Sequence, residues 1–487
     1  MQPIPVLKFN QNGAAFDYNI STPYVQNFTL SVTRRLTNKV EVDVRYIATR
    51  GLKLNNNYNL NVPDVFYNPA LMDALVRTRR GEDVELFDQM FMGLNLNPGV
   101  AGFSAVNGTT QRGSNHLRQS TTFRTSLANG DFATLASALD YFNGTGTGST
   151  GAVQGVAGER GTVLRRANKG FNVAGGTVIP GGPIIQPGLF PENWISANPQ
   201  FNQANYYTDS GSSIYHSLQV QTTLRPTYGI SFQGTYLWSR ALGIAPTATG
   251  YTNPAEREMD YTLAGSHRTH EFRANGTFEL PVGPNKLFFP NTSGWVARLI
   301  ERWETSFIVN AATGSPSSVT AGNMLYANGV ADIRSPISLR TGDVQWGDPI
   351  STTQSAGNYF GKGTFVNVTD PQCATVAAQI RSFCTLRAVQ DNTGQYVFQN
   401  PQPGTRGTVG RQTIENPGTW DFDANIRKTF RISESKSLQI RLDATNILNH
   451  PSPNNPTLNI NSTNDFGYIA DKNTNHRQFQ GQLRLLF

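Results

Sequence analysis

Hydrophobic and polar residues alternate along nine segments of the chain. In segment 39–50, for example, Val40, Val42 and Val44 alternate with Glu41, Asp43 and Arg45. Alternation with a period of two is typical of a β-strand that has one apolar face and one polar face. The sequence therefore predicts strands at 25–36, 39–50, 213–225, 229–240, 267–280, 303–313, 420–432, 437–449 and 477–487.

The lengths of these segments and of the links between them favour a membrane barrel. The segments run about 11 to 14 residues, whereas a tilted strand needs about 9–11 residues to cross a bilayer and a soluble strand has about 5–6. Shorter links alternate with longer ones, as in barrels with brief periplasmic turns and long outer loops. We expect 51–212 and 314–419 to be long extracellular loops.

Charged and imidazole side chains on the apolar faces lie only near strand ends. The cost of Arg or Lys on a lipid-facing strand is about 2–4 kcal/mol at the bilayer midplane and approaches zero at the interface. This depth rule would not apply to a soluble core, so the placement indicates that the apolar faces contact lipid. The residues concerned are His216, Arg240, Arg268, His270 and Lys428.

The polar faces of the same strands would then line a water-filled lumen. For any single residue, the simpler interpretation is a structural one, in which the polar side chain faces water or another part of the protein inside the barrel. The candidate lumen-lining residues are Glu41, Asp43, Arg45, Arg273, Asp423, Arg427, Arg441 and Asp443.

Composition agrees with a β protein and does not indicate a nucleic-acid partner. Charged residues make up 15% of the chain and there are 46 glycines, a mixture that disfavours helix. The formal charge of +7 is spread thinly, with clusters at Arg77, Arg79, Arg80 and at Arg165, Arg166, Lys169. No nucleic-acid motif accompanies either cluster. We interpret them as solvated loops, with surface-lipid phosphates as an alternative.

The two cysteines, Cys373 and Cys384, are the only ones in the sequence and lie eleven residues apart. In an exported protein such a pair forms a small disulfide or remains as free thiols. Both cysteines on one continuous helix would be about 16 Å apart, too far to bond, so a disulfide requires a turn between them.

Neither enzymatic chemistry nor a metal or cofactor site is predicted. The six histidines are scattered, and on a strand His267 and His270 would face opposite sides of the sheet. One element of the first long loop is predicted as a helix, because apolar residues recur at helical spacing from Phe132 to Phe142 and Asp131 is a plausible cap.

The first residues lack the basic segment and apolar core of a secretory signal peptide. Either the protein is cytoplasmic or the chain begins inside a longer one. We expect the second, a C-terminal fragment or a mis-started gene model, because the first predicted strand would begin outside the cell, which a complete barrel does not do.

Five blocks of the sequence resemble Oar-like TonB-dependent receptors, in the order in which that family has them. They are 22–54, 213–242, 266–283, 441–456 and 477–487. The resemblance implies an all-β fold, an antiparallel transmembrane β-barrel of which this chain is the C-terminal portion, with 22 strands in the whole barrel. It also implies an N-terminal plug that contacts the TonB complex. The last strand, with Phe479, Leu483, Leu485 and Phe487, resembles the signal read by the barrel-assembly machinery.

The expected function is uptake or surface recognition of a large, unknown extracellular ligand at the outer membrane of a Gram-negative cell. A surface or adhesion barrel without transport is one alternative. A secreted, soluble, glycan-binding β protein is another.

Overall fold

The nine alternating segments each coincide with a strand of one large antiparallel sheet. The computed structural model describes residues 11–61, 68–91, 95–97, 99–140, 171–173, 177–179, 194–197, 201–244, 257–322, 329–335, 345–351, 354–361, 363–433, 436–472 and 476–487. The strands are β1 (Tyr24–Arg35), β2 (Val40–Asn59), β3 (Phe201–Thr227), β4 (Ile230–Ile244), β5 (His270–Glu279), β6 (Trp303–Ala312), β7 (Thr419–Arg431), β8 (Ser437–Thr445) and β9 (Gln478–Leu486).

Each strand pairs with the next along the chain, so the order in the sheet is β1 to β9. Two short strands are added to it: Gln11–Phe16 runs parallel to β3, and Tyr261–Leu263 pairs with β4. Within the described residues β1 and β9 are the edges of an open sheet. A closed barrel and a count of 22 strands are therefore not seen in this part of the chain.

Strands β2 and β3 are longer than the alternation predicts. Their pairing continues past Gly51 with two register shifts and reaches Asn59, which lies opposite Asn205. The predicted loop 51–212 therefore has strand at both of its ends. The added residues of β2 still include Leu52, Leu54 and Tyr58, but three consecutive asparagines at 55–57 and the register shifts weaken the alternation, although the backbone groups still form a ladder.

The tight turn between β3 and β4 shows how sequence sets the shape of the short links. Tyr228 and Gly229 both have positive φ, at 51° and 79°, as the two central residues of a type I′ hairpin turn require. A Cβ on Gly229 would lie 2.9 Å from the Cβ of Glu279. This glycine therefore permits both the turn and the close approach of β5.

Strand register places most of the apolar residues of the nine strands on one face. Val44 in β2 lies opposite Val220 in β3, which lies opposite Tyr236 in β4, which lies opposite Phe272 in β5. The same parity continues to Leu483 in β9. We call this side of the sheet the apolar face and the other side the polar face.

The first long link folds into a helical cap, defined here as residues 69–140. Its helices are α1 (Pro69–Arg80), α2 (Glu85–Phe91), α3 (Gly113–Gln119), α4 (Arg124–Asn129) and α5 (Phe132–Asp140). The Asn68 side chain caps α1 by accepting from the backbone N–H of Leu71 at 3.1 Å, and the helix ends at Gly81 with φ 106°. The cap encloses its own core, built around residues such as Leu75, Phe91 and Phe132.

The later long links fold into a β cap, defined here as residues 316–469 without the strands β7 and β8. Its core includes Val389, Phe398 and Phe466. Its elements are Pro316–Ser317, Asp332–Ile333, Gln345–Ser351, Gln354–Asn358, Phe365–Thr369, Arg387–Asp391, Tyr396–Gln399, Ile414–Glu415, Tyr468–Ile469 and the 3-10 turns Pro371–Thr375 and Arg381–Phe383. Three further elements lie outside both caps: the hairpin Phe171–Val173 with Thr177–Ile179, the 3-10 turn Arg257–Asp260, and a helix α6 (Gly294–Ile300) between β5 and β6.

The buried apolar residues of the described chain therefore belong mainly to the caps. Only Ala274 and Ala444 among them come from the nine strands of the large sheet. The sheet has no hydrophobic core of its own, and its apolar face is left uncovered.

Candidate membrane and lumenal surfaces

The apolar face is a broad exposed band of large side chains. Phe28, Trp238 and Leu483 are 59%, 54% and 69% exposed. Val42, Leu218 and Ile440 would meet in a closed interior if the protein were a soluble sandwich, yet none of them is buried. Contiguous apolar surface of this size marks a membrane or protein contact.

The long links leave the sheet at one end, called here the long-link end, and the short links leave it at the other, the short-link end. Two tyrosine–histidine pairs lie on the apolar face near the long-link end. The Tyr46 hydroxyl is 2.8 Å from Nδ1 of His216, and the Tyr236 hydroxyl is 2.7 Å from Nδ1 of His270. Each imidazole is also stacked on its tyrosine ring. Sequence reasoning placed both histidines at the rim but missed their partners, because the β2–β3 register crosses a long link and cannot be read locally.

Lys428 is the cation nearest the short-link end of the apolar face in β7, and it is buried. Its ammonium group donates to the carbonyls of Leu299 at 2.9 Å and Glu301 at 2.5 Å, and it lies over the rings of Trp303 and Phe430. The charge is thus satisfied by protein groups.

On the polar face, all eight candidate lumen residues are present and each has a polar partner. Arg45 bonds Asp43, Arg225 bonds Glu41, Arg273 bonds Glu271, and Arg427 donates from Nε to Glu304, at 2.8–3.0 Å. Arg441 donates to Asp443 at 2.8 Å, and Asp423 accepts from the backbone N–H of Asn446 at 2.8 Å. Exposed pairs of this kind contribute about 0–1 kcal/mol each, so their main effect is to keep this face hydrated and nearly neutral.

Cys373 and Cys384 form a disulfide whose Cα atoms are 5.7 Å apart. The two short 3-10 turns Pro371–Thr375 and Arg381–Phe383 reverse the chain between them. We call residues 373–384 the disulfide ring. It belongs to the β cap by sequence, but Val376, Ala377 and Ile380 pack into the core of the helical cap.

Hydrogen bonds hold the disulfide ring in the helical cap. Arg118 is buried and donates to Gln379 of the ring at 2.8 Å and to Asp83 at 2.7 Å. The backbone N–H of Ala377 donates to the carbonyl of Arg79 at 2.9 Å. The two caps are therefore clasped together through the ring.

The basic cluster at the end of α1 is structural rather than uniformly solvated, which corrects our interpretation of it as a solvated loop. Arg77 pairs with Glu82 at 2.7 Å, whereas Arg79 is buried and donates to the Ala128 carbonyl at 3.0 Å. Burial lowers the pKa of Arg79 to about 10, and the nearby Asp370 opposes that effect. The second cluster, at 165–169, lies outside the described residues.

A groove of about 480 Å³ opens at the long-link end of β4, β5, β6 and β7. Its lining combines the Tyr236–His270 pair with Phe272, Ala311 and Trp420, and it includes Glu415. In the part of the chain that the structure describes, no group of three His, Cys, Asp or Glu side chains is arranged to hold a metal. None of the described helices is long and apolar enough to span a membrane.

The four residues of the candidate assembly signal share one face of the edge strand. Phe479, Leu483 and Leu485 lie opposite Ala444, Ile440 and Leu438 of β8, and Phe487 follows at the end. All four are exposed. The geometry makes them accessible, and their role in assembly stays a prediction.

Comparison with solved structures finds only distant likenesses. The outer membrane transporter YddB from Escherichia coli is 7% identical with a TM-score of 0.35, over 98% of this chain and 34% of that chain. A Pseudomonas aeruginosa FadL homologue is 9% identical with a TM-score of 0.16, over 95% and 67%. The siderophore receptor PiuA from Acinetobacter baumannii is 10% identical with a TM-score of 0.12, over 95% and 64%. The chain spans about a third of the length of YddB, and TM-scores this low establish neither fold nor function.

The family comparison is more informative. No curated protein matches the sequence, but residues 2–480 match the family described as an outer membrane beta barrel domain. The match spans nearly the whole chain and agrees with a sheet that leaves its apolar face uncovered. The chain belongs to the outer membrane beta barrel domain family, and its location is the outer membrane.

Proposed function

We propose that this chain is part of an Oar-like TonB-dependent receptor, which takes up or recognises a large ligand at the cell surface. In this proposal the nine strands belong to a 22-stranded barrel, the capped end faces the medium and the short links face the periplasm. The apolar face contacts membrane lipid, and the polar face lines the lumen and contacts an N-terminal plug through which the TonB complex acts. The barrel-assembly machinery would insert the chain by reading β9.

The observation that carries the proposal is the folded mass at one end of the sheet. The two caps have separate buried cores and are clasped through the disulfide ring. A passive pore would need only short loops to keep its mouth open. Ordered loops of this size provide a shaped surface, as recognition of a large ligand requires.

The secreted soluble alternative is wrong, because the family match and the outer-membrane location exclude it. A surface or adhesion barrel without transport would use the same folded caps. Energy coupling is what separates these two functions.

The test is uptake by cells of the source bacterium with and without the gene. The probes are a defined panel of ferric siderophores, cobalamin, oligosaccharides and peptides larger than porins admit, each measured with and without a protonophore. We expect the deletion to abolish uptake of one panel member, and the protonophore to abolish it in the parent strain. Unchanged uptake across the panel, together with lost attachment to surfaces, would favour the adhesion function.

A further inference from the structure

The link between β5 and β6 exposes apolar side chains where a soluble protein would hide them. In α6, Trp295 and Leu299 are 77% and 51% exposed and Val296 is exposed beside them, while the buried residue is the small Ala297. A helix on a water-facing surface has the opposite arrangement, with its apolar stripe turned inward. Phe288 and Phe289, which precede α6 in the chain, are also exposed.

The end of α6 is fixed against the apolar face of the sheet. Trp303 in β6 lies directly opposite Lys428 in β7 on that face. The Trp303 indole donates to the Leu299 carbonyl at 3.1 Å, and Lys428 donates to the same carbonyl and to that of Glu301. A cation at the C-terminal end of a helix is electrostatically favourable. Lys428 therefore clamps α6 to the side of the sheet that contacts lipid.

We propose that α6 is an interfacial anchor, with Trp295, Val296 and Leu299 inserted among the phospholipid acyl chains at the short-link rim of the sheet. The exposed arc of α6 continues the apolar face, which is already the lipid contact of an outer-membrane protein. Tryptophan favours the interface between hydrocarbon and headgroups, and short amphipathic helices lie in that plane. Arg298, at the edge of the arc and also exposed, would reach the headgroup phosphates.

The occupant we commit to is phospholipid rather than a protein. No residue of α6 is acidic, and its exposed arc has an aromatic and two aliphatic side chains beside one arginine. That composition fits a zwitterionic or anionic lipid surface. It offers few groups that would specify a protein partner.

The experiment measures the depth of α6 in a bilayer. The full chain is inserted into vesicles of phosphatidylethanolamine and phosphatidylglycerol, with Trp295→Cys or Leu299→Cys carrying a nitroxide spin label. Both native cysteines are held in the disulfide, so only the introduced thiol reacts. The matched control is Ser433→Cys in the exposed β7–β8 turn at the same rim. Collisions with oxygen report hydrocarbon, and collisions with a water-soluble nickel chelate report solvent.

We expect labels at 295 and 299 to collide mainly with oxygen and the label at 433 to collide mainly with the nickel chelate. Equal nickel accessibility at all three positions would overturn the proposal. Immobile labels at 295 and 299 that neither reagent reaches would also overturn it, because they would indicate packing against protein. Adding Lys428→Met should move the 295 label toward water if the clamp holds α6 in place, and an unchanged depth would overturn the clamp.

Discussion

Gly276 shows how closely the apolar face is packed at the level of single residues. It lies on that face of β5, opposite Phe307 of β6, whose ring covers it. A Cβ built on Gly276 would lie 2.8 Å from Phe307 Cε1 and 2.8 Å from the Ser231 carbonyl oxygen. Backbone on one side and a ring on the other leave no room for a side chain.

We therefore expect Gly276→Ala to destabilise the folded sheet by about 1–3 kcal/mol, the usual cost of overpacking. The measurement is urea unfolding of the chain from lipid vesicles. Gly481→Ala in β9 is the control, because a Cβ there meets nothing within 4 Å. Equal effects of the two substitutions would contradict the packing argument.

His116 makes the stability of the helical cap depend on pH. Its Nε2 is 3.1 Å from the Gln111 side-chain oxygen and its Nδ1 is 3.4 Å from the Leu96 backbone nitrogen, an arrangement that suits the neutral ring. Burial lowers the pKa of His116 from 6.5 to about 4. The unfolded chain therefore takes up a proton at a higher pH than the folded cap does.

The stabilising contribution of neutral His116 is full above pH 6.5, falls as the pH drops, and is lost by about pH 4. The loss should reach at most about 3 kcal/mol. Unfolding of the cap can be followed by the fluorescence of Trp194, which packs against its core, in a chain whose other five tryptophans are replaced by phenylalanine. His116→Gln should remove the part of the pH dependence that falls in this window, and an unchanged profile would assign it to other groups.

At the scale of elements, the sequence was informative wherever one face of a strand meets lipid. The alternation around Val42, Val220 and Leu483 follows from that contact, so it places the strands without a structure. It weakens at residues 52–59, where three consecutive asparagines at 55–57 and two register shifts interrupt it. Of the helices in the helical cap, the sequence predicted only α5, whose apolar spacing places Phe132, Leu135 and Leu139 in the core. The last two residues of that predicted helix, 141 and 142, lie outside the described residues. Ile195 and Ile380 pack into the core of the helical cap although they are far from it in sequence. No local sequence pattern predicts such contacts.

The disulfide ring packs into the helical cap, from which it is distant in sequence. Double substitution Cys373→Ser with Cys384→Ser should cost about 2–3 kcal/mol, as expected for closing a short loop. We expect protease cleavage within 373–384 to speed up, because the ring then leaves the helical cap more often. Limited proteolysis with and without dithiothreitol checks this. The doubly substituted chain is the control, since it should no longer respond to the reductant.

The second prediction at the scale of elements concerns the edge strand β9 and its role in assembly. Removing Phe487 should reduce the fraction of chain that is assembled in the outer membrane, if the machinery reads this side chain. The fraction is measured by heat-modifiable mobility in gels of outer-membrane extracts. Gln480→Ala, on the polar face of the same strand, should leave it unchanged. Normal assembly without Phe487 would show that the signal lies elsewhere.

For the whole molecule, the decisive property is the difference between the two faces of the sheet. Val220 and Gln221 are neighbours in the middle of the membrane part of β3 and point to opposite faces. Val220→Arg should destabilise the inserted protein by about 2–4 kcal/mol, because it places a charge in hydrocarbon. Gln221→Arg should have little effect. Equal unfolding free energies of the two variants in vesicles would contradict the assignment of the apolar face to lipid.

The seating of the disulfide ring in the helical cap also bears on how the specificity of this protein can be altered. A chimera that received residues 69–140 from a homologue, without that homologue's version of 373–384, would set Val376 and Ile380 against a core whose shape is not matched to them. Natural recombination faces the same obstacle. The two distant segments should therefore be exchanged, inherited and redesigned as one cassette.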